Sequence, residues 1–146
     1  VLATLPMGDS LKIIGRGPFE SDLRRMAGPM IEFLGYQTDE SVADHMSRCR
    51  AFILAGEEDL GMTPLEANAA GRPVIAYGKG GALETVVDGE TGVLFPQPTW
   101  EALSIAVLES EALPFHPKVL RAHALRFDEG NFQERVRAFL KAHGMI

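Results

Sequence analysis

The chain has 146 residues, 46% of them hydrophobic and 23% charged, enough apolar material for one ordinary domain and too much for a fibrous or disordered chain. Fourteen Lys and Arg against twenty Asp and Glu leave a formal charge of −6, so a nucleic-acid-binding role has no electrostatic support, although local phosphate binding stays open. A single cysteine, Cys49, excludes an internal disulfide and a Cys-based metal site and fits a reducing compartment, and no apolar run reaches the ~18 residues of a membrane span.

The N-terminus, Val1-Leu2-Ala3-Thr4-Leu5-Pro6, has neither an initiator Met nor a basic start, so the chain is expected to be cut from something longer. The first predicted strand, Leu11 to Ile14, runs into Gly15-Arg16-Gly17-Pro18, a turn whose glycines permit close backbone approach to a ligand. A dinucleotide fingerprint would need a third glycine where Glu20 stands, which disfavours a nicotinamide or flavin site. A helix over Glu20 to Ala27, a strand over Ile31 to Leu34 and a helix over Asp39 to Cys49 follow.

The third strand, Ala51 to Ala55, leads through Gly56-Glu57-Glu58-Asp59-Leu60-Gly61-Met62-Thr63 into a helix over Pro64 to Ala70. The free amides of a helix's first turn carry the positive end of its dipole, so this junction is a cradle for phosphate oxygens built without lysine. Glu58 and Glu66 flank it. Carboxylates accept hydrogen bonds from paired hydroxyls, so two of them beside a diphosphate suit a ribose on one side and a sugar on the other. By spacing alone, however, Thr63-Pro64-Leu65-Glu66 reads as a capping box with proline at the first helical position. Glu57, Glu58 and Asp59 also read as solvated loop acids, and they lack the ligand pattern of a divalent-cation loop.

A fourth strand, Pro73 to Ala76, opens into Tyr77-Gly78-Lys79-Gly80-Gly81, which suits phosphate or hydroxyl contact as well as it suits an ordinary loop with a solvated lysine; it is not a P-loop, since no Ser or Thr follows Lys79. A helix over Ala82 to Val87, a turn at Asp88-Gly89 and a fifth strand over Gly92 to Phe95 complete the alternation. The remainder is helical: Thr99 to Ser110, a stretch through Ala124, and Phe132 to Lys141, whose Phe132, Val136, Phe139 and Leu140 form an apolar face that must pack on this domain's core or on a neighbour. The four histidines are scattered, without a zinc motif, and no serine sits in a nucleophile elbow; Met26, Met46 and Met62 read as packing residues.

Continuous apolar strands alternating with helices predict an α/β fold: a single Rossmann-like domain over 1–146, an open parallel sheet with helices on both faces and its ligand crevice beyond the strands' carboxyl ends. The run from Glu58 to Glu66, then Ala67-Asn68-Ala69-Ala70-Gly71-Arg72-Pro73-Val74, resembles the retaining GT-B glycosyltransferases of group 1, and so do Leu11 to Pro18, Phe33 to Tyr36 and Gly80 to Gly92.

The resemblance implies the C-terminal, donor-binding half of GT-B. Glu58 would hold donor-sugar hydroxyls and Glu66 the nucleotide ribose, with the backbone of Leu60, Gly61, Met62 and Thr63 facing sugar and diphosphate. Tyr36 and Gln37 would meet the base, and Gly15 and Gly17 would border the same crevice. Leu60 stands where the family usually has Phe. The donor would be a GDP-, UDP- or ADP-sugar, the transferred hexose mannose or glucose, the acceptor a glycan, a lipid-linked or a small molecule, and no cofactor or metal would be required.

The family's diphosphate-binding Arg and Lys and its N-terminal acceptor domain fall before residue 1, so the chain alone is expected to be inactive. The whole enzyme would be cytoplasmic, at most peripheral to the inner membrane face. A GT-B epimerase and a noncatalytic nucleotide-binding or interaction module are the alternatives.

Overall fold

The computed structural model describes residues 10–145, which fall into two units divided between Arg48 and Cys49. In the first unit β1 (Leu11–Ile14) and β2 (Ile31–Gly35) pair in parallel, joined by α1 (Glu20–Met26), and α2 (Asp39–Arg48) follows. Lys12 faces Glu32 in register and binds it at 2.6 Å. On α1, Glu20 pairs with Arg24 one turn later, and the Arg24 guanidinium lies 4.6 Å over the Phe33 ring. β1, whose apolar run is interrupted by Lys12, alternates half-buried and exposed residues because only one of its faces is covered, unlike strands buried on both faces.

The second unit holds β3 (Phe52–Leu54), α3 (Met62–Ala69), β4 (Val74–Tyr77), α4 (Ala82–Thr85), β5 (Gly92–Phe95), α5 (Trp100–Ala112), α6 (Pro117–Leu125) and α7 (Glu129–Ala142). Its strands are parallel in the order β3-β4-β5. Central β4 and its neighbour β5 are buried on both faces, as their apolar runs predict. Proline 73 falls outside β4, since it has no amide for the ladder, but its carbonyl accepts from Phe52 at 2.9 Å.

One face of this sheet packs Ile75, Val93 and Phe95 against Ala106 of α5, with Tyr77 and Phe95 rings 5.9 Å apart. α3 packs against β3, β4 and α6, burying Ala67, Asn68 and Leu120 completely. Thr99 caps α5 by accepting from Ala102, and Asp128 caps α7 by accepting from Asn131. The apolar face expected on the last helix exists, but it is not core: Phe132 is 64% and Phe139 56% exposed, and α7 buries none of its residues. Met46 is buried, whereas Met26 and Met62 are exposed; neither is the packing residue its apolar chemistry suggested. Among the described residues no helix is long and apolar enough to cross a membrane.

Candidate functional site

At the carboxyl end of β3, buried Leu54 gives way to the exposed segment 55–60. Gly61 then turns the chain with φ 71° and ψ 73°, a left-handed conformation that costs a residue with a Cβ, and serves as the N-cap of α3. The helix therefore begins at Met62, two residues before the predicted start, and the capping-box reading fails. Thr63 and Pro64 are the second and third helical residues and Glu66 lies in the second turn, where it caps nothing. Pro64 is tolerated because an amide at that position has no intrahelical carbonyl to bond.

No side chain caps α3. The amides of Gly61, Met62 and Thr63 thus lack intrahelical partners at the positive end of the helix dipole. Leu60 and Met62 are 51% and 64% exposed, and the side chains of Glu58 and Glu66, one before the cap and one beyond it, are both exposed. Glu58 precedes the Gly61 cap by three residues and Leu60 to Thr63 run through it, so these predicted residues are neighbours along the chain at the start of α3, and Glu66 follows in the helix's second turn.

The loop after β4 is fastened to this segment. Glu58 and Gly80 form a parallel bridge, and the Gly81 amide donates to the Glu58 carbonyl at 2.7 Å. A Cβ on Gly81 would lie 2.4 Å from the Leu60 carbonyl oxygen and 2.5 Å from Leu60 Cα, so the close approach demands glycine. Lys79 Nζ sits 2.8 Å from Glu57 Oε2, and this hydrogen bond and charge hold the lysine above its ordinary pKa. The lysine is therefore not a lone solvated cation but the partner of an acid 22 positions earlier. Among the described residues no group of three or more His, Cys, Asp or Glu side chains is placed to hold a metal ion.

Gly15, Gly17, Tyr36 and Gln37 belong to the first unit, at the carboxyl edge of β1 and β2. Gly15 takes φ 111° and donates to the Gly35 carbonyl at 2.8 Å, which joins the two turns. The Gln37 side chain donates to the Leu34 carbonyl and accepts from Ser41, so its amide is engaged within its own turn, while Tyr36 is 79% exposed. In the second unit, two shallow depressions lie beside Asp88 and Glu109 and beside Lys118 and His123, and neither Glu58 nor Glu66 lines them.

Comparison with known proteins adds a second line. The family described as Glycosyl transferases group 1 matches residues 10–125. A GDP-mannose-dependent alpha-(1-6)-phosphatidylinositol monomannoside mannosyltransferase of Mycolicibacterium smegmatis is 32% identical over 141 residues, covering 88% of this chain and 37% of that protein. The protein of that description from Mycobacterium tuberculosis is 34% identical over 115 residues, 70% of this chain and 30% of its own length. Among solved structures, Anabaena HepE in complex with UDP-glucose superposes with a TM-score of 0.72 at 23% identity, over 97% of this chain and 43% of that one. Sucrose-phosphate synthase from Thermosynechococcus elongatus gives 0.68 at 26% identity, over 94% and 40%. The chain spans about a third of the length of these curated relatives.

Proposed function

The chain belongs to the glycosyl transferases group 1 family and has a GT-B-type α/β fold, and from that premise we propose that residues 1–146 are the C-terminal donor-binding part of a retaining hexosyltransferase that moves mannose from GDP-mannose to an acceptor. The observation that carries this reading is the uncapped start of α3 between two exposed acids. The donor's pyrophosphate rests against the amides of Gly61, Met62 and Thr63. Glu58 accepts from hydroxyls of the sugar and Glu66 from those of the ribose.

In the transfer, an acceptor hydroxyl oxygen bonds to the anomeric carbon on the same face that the diphosphate leaves and gives its proton to the departing diphosphate, while the bond from that carbon to the phosphate oxygen breaks with its electron pair passing to the diphosphate. Amides already pointed at that oxygen offset the growing charge without reorganising. Glu58 orients the sugar and does not attack it. Taken by itself, the first unit's Tyr36 and Gln37 turn has the Gln37 amide engaged internally, which suits contact with a base through main chain, and Gly15 joins that turn through the Gly35 carbonyl.

Relatives named as GDP-mannose-dependent support the choice of mannose and guanine. The acceptor, glycan, lipid-linked or small, is held by a further N-terminal domain, without which this chain binds donor but transfers nothing. Calorimetric titration of GDP-mannose, UDP-glucose and ADP-glucose tests the reading: GDP-mannose binds tightest, and binding of none of the three overturns it.

A further inference from the structure

His123 is 7% exposed, and it is the one histidine whose ring reaches the interior of the second unit. Its Nε2 lies 3.0 Å from the Thr85 carbonyl oxygen. A carbonyl only accepts, so Nε2 carries the proton and donates. Phe127 packs against the ring with centroids 5.4 Å apart and holds its orientation. Thr85, completely buried at the end of α4, donates its hydroxyl to the Gly81 carbonyl at 2.9 Å. Gly81 in turn donates its amide to Glu58 and lies against the Leu60 backbone with no room for a Cβ. α6 is thereby tied to the segment that precedes α3 by three successive hydrogen bonds, two of them made by buried side chains.

We propose that His123 and Thr85 are positioning residues for the donor site, holding Gly81 and through it the Glu58 to Gly61 segment in the geometry that a nucleotide-sugar requires. The proposal rests on the donor reading above for its ligand, and on the hydrogen-bonded chain alone for its coupling. A buried hydroxyl or carbonyl left without its partner is penalised, which binds Thr85 to His123 and to Gly81; the Gly81 carbonyl also accepts from the Glu84 and Thr85 amides at 3.0 Å, so the Thr85 hydroxyl adds a third bond that holds α4 to Gly81. At Gly81 the backbone approach is so tight that any displacement must be passed on to Leu60. Neither residue touches donor in this account; each acts through Gly81.

The test pairs Thr85→Val, which keeps the shape and loses the hydroxyl, with Thr85→Ser, which keeps the hydroxyl. Amide resonances of Glu58, Leu60 and Gly61 are recorded without ligand, and GDP-mannose affinity is measured by calorimetry. Thr85→Val is expected to shift those resonances and weaken GDP-mannose by between about two- and tenfold, and Thr85→Ser to restore both. Unmoved resonances in Thr85→Val overturn the coupling, and shifted resonances with full GDP-mannose affinity overturn the positioning role. If wild type fails to bind GDP-mannose, the donor reading falls and the positioning role falls with it, while the resonances still decide the coupling separately. Should Thr85→Val not fold, His123→Gln, which retains an N–H, and His123→Leu, which does not, are read in the same way.

Discussion

Lys79 Nζ and Glu57 Oε2 lie 2.8 Å apart, an ion pair that joins the loop after β4 to the loop after β3. Both side chains are more than half exposed, so the pair adds little to stability and acts on loop geometry. The lysine's pKa is raised above its ordinary 10.5. A raised pKa means the folded state holds the proton more tightly, so any contribution is complete at neutral pH and is lost as pH rises through the folded-state value. Glu57→Gln is expected to lower the Lys79 titration, followed by NMR, toward that of an ordinary lysine and to leave the urea midpoint at pH 7 unchanged.

Because Gly61, and not Thr63, caps α3, Glu66→Ala is expected to change stability by less than about 0.5 kcal/mol. A capping residue would cost about 0.5–2 kcal/mol. The same substitution weakens GDP-mannose. Urea denaturation and calorimetry on one preparation separate the two roles, and a destabilised variant with unaltered affinity would restore the capping reading.

Two glycines are required for different reasons, and their alanine variants differ accordingly. At Gly61 the added Cβ meets nothing closer than 3.6 Å, so Gly61→Ala costs only the left-handed conformation, about 1–2 kcal/mol, and Gly61→Asn costs less. At Gly81 the backbone itself must move. Gly81→Ala is expected to destabilise by about 1–3 kcal/mol and to shift the Leu60 amide, which Gly61→Asn leaves in place.

Leu120 on α6 is fully buried in the layer that packs on α3. Leu120→Ala is expected to cost about 2–5 kcal/mol by thermal or chemical unfolding. Val119, one residue earlier and exposed, tolerates the same change within about 0.5 kcal/mol.

The alternation of strands and helices was legible because apolar runs and glycine or proline punctuation are local signals. β1 and β5 fall where they were predicted, and the other strands differ only at their ends. Sequence places the start of α3 two residues late because Thr63 and Glu66 have the spacing of a capping box, whereas the left-handed turn at Gly61 that starts the helix has no equally loud signature. The partner of Lys79 lies 22 residues back, and that of His123 lies 38 residues back on α4, distances at which sequence periodicity says nothing. For Gly80 and Gly81 a signal did exist: two adjacent glycines after a strand mark a close backbone approach, though not against what. The apolar stripe of α7 is legible from its spacing, but an apolar stripe does not name its cover, and here Phe132, Val136 and Phe139 are exposed.

The central claim is that pyrophosphate sits on the free amides at the start of α3 between Glu58 and Glu66. Titrating GDP-mannose into nitrogen-15-labelled protein tests it most directly. The account predicts that the amide resonances of Gly61, Met62 and Thr63 shift first and furthest, and that Glu66→Ala reduces the affinity behind those shifts. Saturable binding that leaves all three amides unmoved would contradict it.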